Sequence, residues 1–326
     1  MRTAIPLTVL ATVLACSLAT APANARARVF VASYGNDANP CTFGSPCKTF
    51  QQAVNVVDPG GEVTAIDSAG FGPITITHAV TITSSDGVEA GIVPTAGGNA
   101  ITINAGEFDA IVLRGLTLDG SGIAFNGVVF NSGGSLTITN CVMQNFVTNG
   151  SLNTGDGILI QPTSGTLTFT ISNTTASNNN GIGIYYFAPS GSPNAIGVID
   201  RVMTNGNNTD GMGFDTLNTS GGITSVTVSN SIASKNLADG IFAQKSASST
   251  MQLSIDNVTT GGNSDGINVT GKVQMLLGRS VITGNFNIGV ANTTSPNTAY
   301  SYGDNRINLN GTDISGTALN TAFKTQ

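Results

Sequence analysis

Asp156-Gly157-Ile158-Leu159-Ile160 is the stretch that decides the fold, because its phrase keeps returning down the chain. It comes back as Asn180-Gly181-Ile182-Gly183-Ile184, Asp210-Gly211-Met212-Gly213-Phe214, Asp239-Gly240-Ile241-Phe242-Ala243 and Asp265-Gly266-Ile267-Asn268-Val269. A looser copy follows at Asn287-Ile288-Gly289-Val290. On this alignment Gly157, Gly181, Gly211, Gly240 and Gly266 stand 24, 30, 29 and 26 residues apart, the signature of a structural repeat.

Between the copies lies a second phrase, Thr137-Ile138-Thr139-Asn140, Thr170-Ile171-Ser172-Asn173, Val198-Ile199-Asp200, Val226-Thr227-Val228-Ser229-Asn230 and Leu253-Ser254-Ile255-Asp256-Asn257. Polar stops follow at Asn145, Asn178, Asn205, Asn236 and Asn263. Each repeat therefore holds short runs of alternating apolar and polar residues bounded by Asn, Asp and Gly, which reads as strands and turns with no helix. Such a unit cannot bury its own apolar face and must stack on its neighbours. From about Arg28 to Asn310 the pattern resembles the pectate-lyase-like superfamily, whose fold is all-β, a single-stranded right-handed parallel β-helix. That fold implies about 10–11 coils, a rod on the order of 50 Å long, with equivalent residues about 4.8 Å apart. It also implies that Asn140, Asn173, Asn230 and Asn257 form an asparagine ladder at a bend.

Charged residues are 9% of the chain and Trp is absent, so the surface must be built from Asn, Thr, Ser and Gly. A formal charge of −6 offers no basic stripe, which excludes a nucleic-acid binder. Residues 1–25 carry Arg2, an apolar run from Ala4 to Ala19 and the small-residue site Ala23-Asn24-Ala25, read as a secretory signal peptide cleaved near Ala25. The rival reading makes Cys16 a lipidated residue. A secreted or periplasmic monomer with no membrane span is expected.

Residues 26–73 read as an N-terminal cap. Val29 to Val31 forms a strand, and Thr49 to Val57 forms a short capping helix that buries Phe50, Ala53, Val54 and Val57 over the open end of the coil. Cys41 and Cys47 are expected to form a disulfide. Cys141 is left as a small buried residue. Residues 74–316 make the β-helix and residues 317–326 a polar tail.

The resemblance does not bring a known active site with it. The Asp-Asp and Gly-His-Gly segments of polygalacturonase-like enzymes are missing, as is the Trp-x-Asp-His segment of pectate-lyase-like ones. His78, the one histidine, reads as an end-of-strand residue. The Asp column Asp156, Asp210, Asp239 and Asp265, with Asn180 placed beside them, reads as backbone-capping turns. Calcium on Asp210 and Asp239 is the alternative, and no other cofactor is implied.

Alternation from Ile158, Ile182, Met212, Ile241 and Ile267 turns Leu159, Gln161, Tyr185, Asp215, Phe242 and Gln244 outward. Aromatic, carboxylate and amide groups on one face are what binds sugars. Asp215, Tyr185 and Lys245 are accordingly the candidate catalytic residues, and Gln161, Gln244, Phe242 and Arg201 the candidate ligand-binding ones. Tyr185-Tyr186-Phe187 and the Pro189 to Pro193 segment read as a longer loop beside them. By resemblance the expected ligand is extracellular polysaccharide. Three readings stay open: a polysaccharide lyase or glycoside hydrolase with a non-standard site, a glycan-binding adhesin-like protein, and a structural rod.

Overall fold

The structure, a computed structural model, describes residues 26–151, 153–293 and 298–321. The expected signal peptide and Cys16 lie outside these residues. Strands of Thr, Ser, Val and Ile pair in parallel with their equivalents one coil on, and build three sheets of eleven, ten and ten strands. The first sheet runs from Arg28–Val31 to Ala299–Ser301, the second from Ala69–Gly70 to Arg306–Asn308 and the third from Ile74–Ile76 to Thr312–Gly316. From Gly61–Ala65 onward each coil visits the three in that order, so nine steps separate the first and last strands of a ten-stranded sheet.

Alternation along each strand decides what is buried. In Thr166–Ser172 of the first sheet, Leu167, Phe169 and Ile171 point inward and the threonines outward. The inner columns fill with Ile, Val, Leu and aromatic rings. The Phe169 ring fills the space that a side chain on Gly197 would need: a Cβ there would stand 2.1 Å from it. The same ring stacks on Tyr186 at 6.0 Å between centres. A large residue on one coil is thus matched by none on the next.

The repeat phrase behaves as expected with one change of register. Ile158 pairs with Ile184, then Met212, Ile241, Ile267 and Val290, so the glycine column is Gly157, Gly183, Gly211, Gly240, Gly266 and Gly289. Gly183 takes the place assigned to Gly181, and Ile182 rather than Asn180 stands in the Asp column. A Cβ at Gly157, Gly183, Gly211, Gly240 or Gly266 would lie 2.5–2.7 Å from the carbonyl oxygen of the next glycine. The coils touch there backbone to backbone, and no side chain fits.

The asparagine column expected at the first bend is linked only in part, Asn257 Nδ2 donating to Asn230 Oδ1 at 2.7 Å, and the continuous ladder lies elsewhere. Asn140, Asn173, Asn230 and Asn257 sit exposed at the bend between the first and second sheets with φ of 48–54°, a left-handed conformation that Asn tolerates. Arg201 and Arg279 occupy the same bend in other coils. The buried ladder stands at the next turn, between the second and third sheets: Asn179, Asn207, Asn236, Asn263, Asn285 and Asn310. Each Nδ2 donates to the next Oδ1 at 2.9–3.1 Å. Each Oδ1 from Asn207 onward also accepts the preceding asparagine's backbone N–H at 3.0–3.2 Å. Turn amides that no strand pairs are satisfied in this way.

The N-terminal end is closed as the sequence indicates. Phe50–Val56 is helical, with Thr49 Oγ1 accepting the Gln52 N–H at 3.2 Å and Phe50 packed on Phe71 at 4.9 Å between ring centres. Asp37 accepts the N–H groups of Lys48 and Thr49 and so fixes the start of the helix. Cys41 and Cys47 are joined by a disulfide. Among the described residues no helix is long and apolar enough to cross a membrane.

Candidate functional site

Unequal turns give a regular rod its site. Thirteen residues separate Val142–Gln144 of the second sheet from Ile158–Ile160 of the third, against six between Thr175–Ser177 and Ile184–Phe187. In the extra chain Thr148 Oγ1 lies 2.9 Å from Thr154 Oγ1 and the Ser151 N–H donates to Asn149 Oδ1 at 2.9 Å, so that residues 148–151 and 153–154 stand together as a raised segment. Along this corner runs a polar groove of about 650 Å³ lined by Asp119, Asn145, Asn178, Asn180 and Asn208. Burial alone would raise the Asp119 carboxyl, but the Ser121 N–H and the amides of Asn145 and Gln144 hold it below the usual range.

Past Asn180, which borders both, lies a pocket of about 260 Å³ under the raised segment, lined by Thr154, Asp156, Ile182, Tyr185 and Asp210. Asp156 and Asp210 project from coils two steps apart, about 9.6 Å by strand spacing. Each spends its Oδ1 on a main-chain N–H of the next coil, Ile182 at 2.8 Å and Asp239 at 2.9 Å. Asp265 does the same for Ile288 at 3.1 Å, so the column caps turns across coils. Asp156 Oδ2 is buried with no hydrogen-bond partner among the described residues. Burial pushes the Asp156 carboxyl up to about 7, helped by the charge of Asp210, and burial pushes Asp210 up to about 6. Asp239 is raised to about 7 by burial and by Asp210 and Asp265. Two carboxyls poised near neutrality in one pocket fit general acid–base chemistry.

Tyr185 forms the side of this pocket. Its ring leans over Gly213, where a Cβ would stand 3.0 Å from it, and its hydroxyl donates to Asp215 Oδ2 at 3.3 Å. Gln244 Nε2 donates to the same oxygen at 2.7 Å, and the Leu217 N–H donates to Asp215 Oδ1 at 2.7 Å. Asp215 is 6% exposed and anchors its neighbours rather than presenting an open carboxylate. Burial, then the charges of Asp215 and Asp156, raise the Tyr185 phenol well above its ordinary value, so it keeps its proton and donates to Asp215.

Of the residues the sequence pointed to, the structure brings Tyr185, Asp215 and Gln244 together on the third sheet, with Phe242 beyond Gly213 in the row of Tyr185. Gln161 shares the row of Asp215, but its amide donates to Asn131 Oδ1 at 2.8 Å in a small ladder with Asn104. Lys245 does not join Asp215: its ammonium binds the carbonyls of Ser246 and Ser249, 2.7 and 2.6 Å away, in its own turn. Arg201 lies at the bend between the first and second sheets, bonded to Asn173 and paired with Asp200, away from this face. Tyr185-Tyr186-Phe187 is a strand rather than a loop, because Tyr186 is wholly buried. Among the described residues no group of three or more His, Cys, Asp or Glu side chains stands placed to hold a metal ion. The sequence reading missed Asp156, Asn180 and Asn208 as site residues. The long interval between Asn145 and Gly157 was the signal that would have found them.

No family model matches the chain, and no curated protein matches its sequence. Solved structures match its fold. Pectate lyase Pel9A superposes with a TM-score of 0.54 at 16% identity, covering 85% of this chain and 80% of that one. A XylC complex with xylose superposes with a TM-score of 0.53 at 8% identity, covering 86% and 70%. The chain therefore has the right-handed parallel β-helix fold of pectate-lyase-like proteins.

Proposed function

We propose that this is an exported protein that binds polysaccharide along the corner between its second and third sheets. The observation that carries the reading is the amide-lined groove of about 650 Å³ that continues past Asn180 into the Tyr185 pocket. Amide side chains offer a donor and an acceptor side by side, which suits the paired hydroxyls of a sugar, and a half-exposed tyrosine offers a face for its ring. The disulfide suits an oxidising compartment. Two of the fold's neighbours are named for a pectate lyase and a xylose complex, which agrees with a glycan ligand.

A second reading, turnover of the bound chain, is favoured by one observation: Asp156 and Asp210 titrate near neutrality in the same pocket. Hydrolysis, with one carboxyl protonated and the other ionised, fits better than a lyase reaction begun by tyrosinate or by the sequestered Lys245.

The test is affinity electrophoresis of the purified protein through gels holding xylan, β-glucan, pectate or alginate, with reducing-end release assayed in parallel. Retardation by one polysaccharide that Tyr185→Ala and Asn208→Ala each weaken about tenfold supports the groove. Release of reducing ends that Asp156→Asn abolishes supports turnover. Retardation unchanged in both groove variants contradicts the assignment.

A further inference from the structure

At the other end of the third-sheet strands, the turns back to the first sheet also vary in length. One coil turns through Gly106-Glu107-Phe108-Asp109, the next through the short Gly133-Gly134, and the next through Pro162-Thr163-Ser164-Gly165. A short turn between two longer ones leaves a slot whose walls are two strand spacings apart, about 9.6 Å. It encloses about 380 Å³, lined by Glu107, Asn131, Ser132, Thr163, Ser164 and Thr166. The floor is held low by packing: a Cβ on Gly134 would stand 2.6 Å from the Glu107 carbonyl oxygen.

Three features of the slot point to a ligand. The Glu107 carboxylate leans across it, 3.6 Å from where a Cβ on Gly165 would stand, and has no hydrogen bond or ion pair among the described residues. Hydroxyls of Ser132, Thr163, Ser164 and Thr166 border it. Next to Glu107 in the same turn, outside the residues that line the slot, Phe108 is 92% exposed. A carboxylate that accepts, hydroxyls that do both, and an aromatic platform match the two edges and the apolar face of a sugar ring. The negative charge of Glu107 disfavours a uronate.

We propose that this slot is a second carbohydrate subsite, taking a neutral sugar unit with Glu107 accepting from adjacent hydroxyls and Phe108 stacked on the ring. It rests on the glycan reading above and extends it. One coil serves both places, with Asp156 in the pocket and Thr163 in the slot on either side of the strand Ile158–Ile160, seven residues and so at most about 23 Å apart. A single chain lying across the third sheet reaches from one to the other.

The experiment is calorimetric titration of the full-length protein with xylohexaose, cellohexaose and hexagalacturonate, comparing wild type with Glu107→Gln, Phe108→Ala and Tyr185→Ala. All three substitutions are of partly or fully exposed side chains, and unchanged thermal midpoints confirm folding. The expected result is a neutral hexasaccharide bound by wild type and weakened about tenfold by Glu107→Gln and by Phe108→Ala. Equal binding in wild type and both slot variants, with Tyr185→Ala weakened, overturns the slot and leaves the groove. Loss in the slot variants with Tyr185→Ala unaffected upholds the slot and overturns the groove. Wild type that binds only hexagalacturonate, or none of the three, overturns the slot.

Discussion

At the scale of single residues, the glycine column is where the repeat is most demanding. Gly240→Ala would force a methyl against the Gly266 carbonyl at 2.6 Å and the Asn263 amide at 2.9 Å, whereas nothing lies within 4 Å of a Cβ on Gly44. Thermal unfolding should therefore show Gly240→Ala destabilised by about 1–3 kcal/mol and Gly44→Ala nearly unchanged. The buried carboxyls set a second expectation. Asp156, Asp210 and Asp239 hold their protons in the fold to pH near 6–7, above the ordinary 3.8. A carboxyl raised by folding stabilises the protein at low pH and loses that contribution as pH rises from about 4 to about 7. Asp200, lowered by its bond from Asn230, and Asp256, lowered by Arg279, act the other way and lose their contribution below about pH 4. Melting temperature should accordingly peak near pH 4–5 and fall toward pH 8. Asp156→Asn should raise it by about 2–6 °C at pH 8 and leave it unchanged at pH 4. A wild-type melting temperature that rises steadily from pH 5 to 8 would refute this. Cys141, whose thiol burial pushes up to about 11, has no part in this range.

At the scale of elements, the two asparagine columns differ in what they hold. Asn236 is 2% exposed and its side chain makes four hydrogen bonds, to Asn207, Asn263 and Thr204. Asn230 turns the chain too, but it is exposed, and its two side-chain bonds, to Asp200 and from Asn257, are made where water can replace them. Denaturant unfolding should show Asn236→Ala costing about 2–4 kcal/mol, from buried donors and acceptors left unpaired, and Asn230→Ala under about 1 kcal/mol. Strands, their parallel stacking, the capping helix and the disulfide were legible because alternation, Gly and Cys mark them locally. The register at Gly183 was not, because Asn180-Gly181-Ile182-Gly183-Ile184 contains the Gly-Ile phrase twice. The ladder resolves the choice: Asn207, Asn236 and Asn285 each precede their column glycine by four residues, as Asn179 precedes Gly183. Of the outward face, Tyr185, Asp215 and Gln244 could be read from alternation. Where Lys245 and Arg201 send their charges depends on turn carbonyls and a neighbouring aspartate, which no periodicity reports.

At the scale of the whole molecule, a rod whose coils contact only their neighbours can vary any turn without disturbing the rest. The protein uses that freedom in coils close together: Thr148, Ser151, Asn153 and Thr154 wall one corner, and a short turn at Gly133-Gly134 opens the other. Between them lies the third sheet with Tyr185 and its partners. Here, across the third sheet, is where we propose that a glycan lies. The most direct measurement is a crystal structure of the protein grown with the best-retained hexasaccharide. Sugar density is expected in the groove beside Asn180 and Tyr185. Density instead on the outer face of the first sheet, along Gln252 and Gln274, with the corner empty, would contradict it.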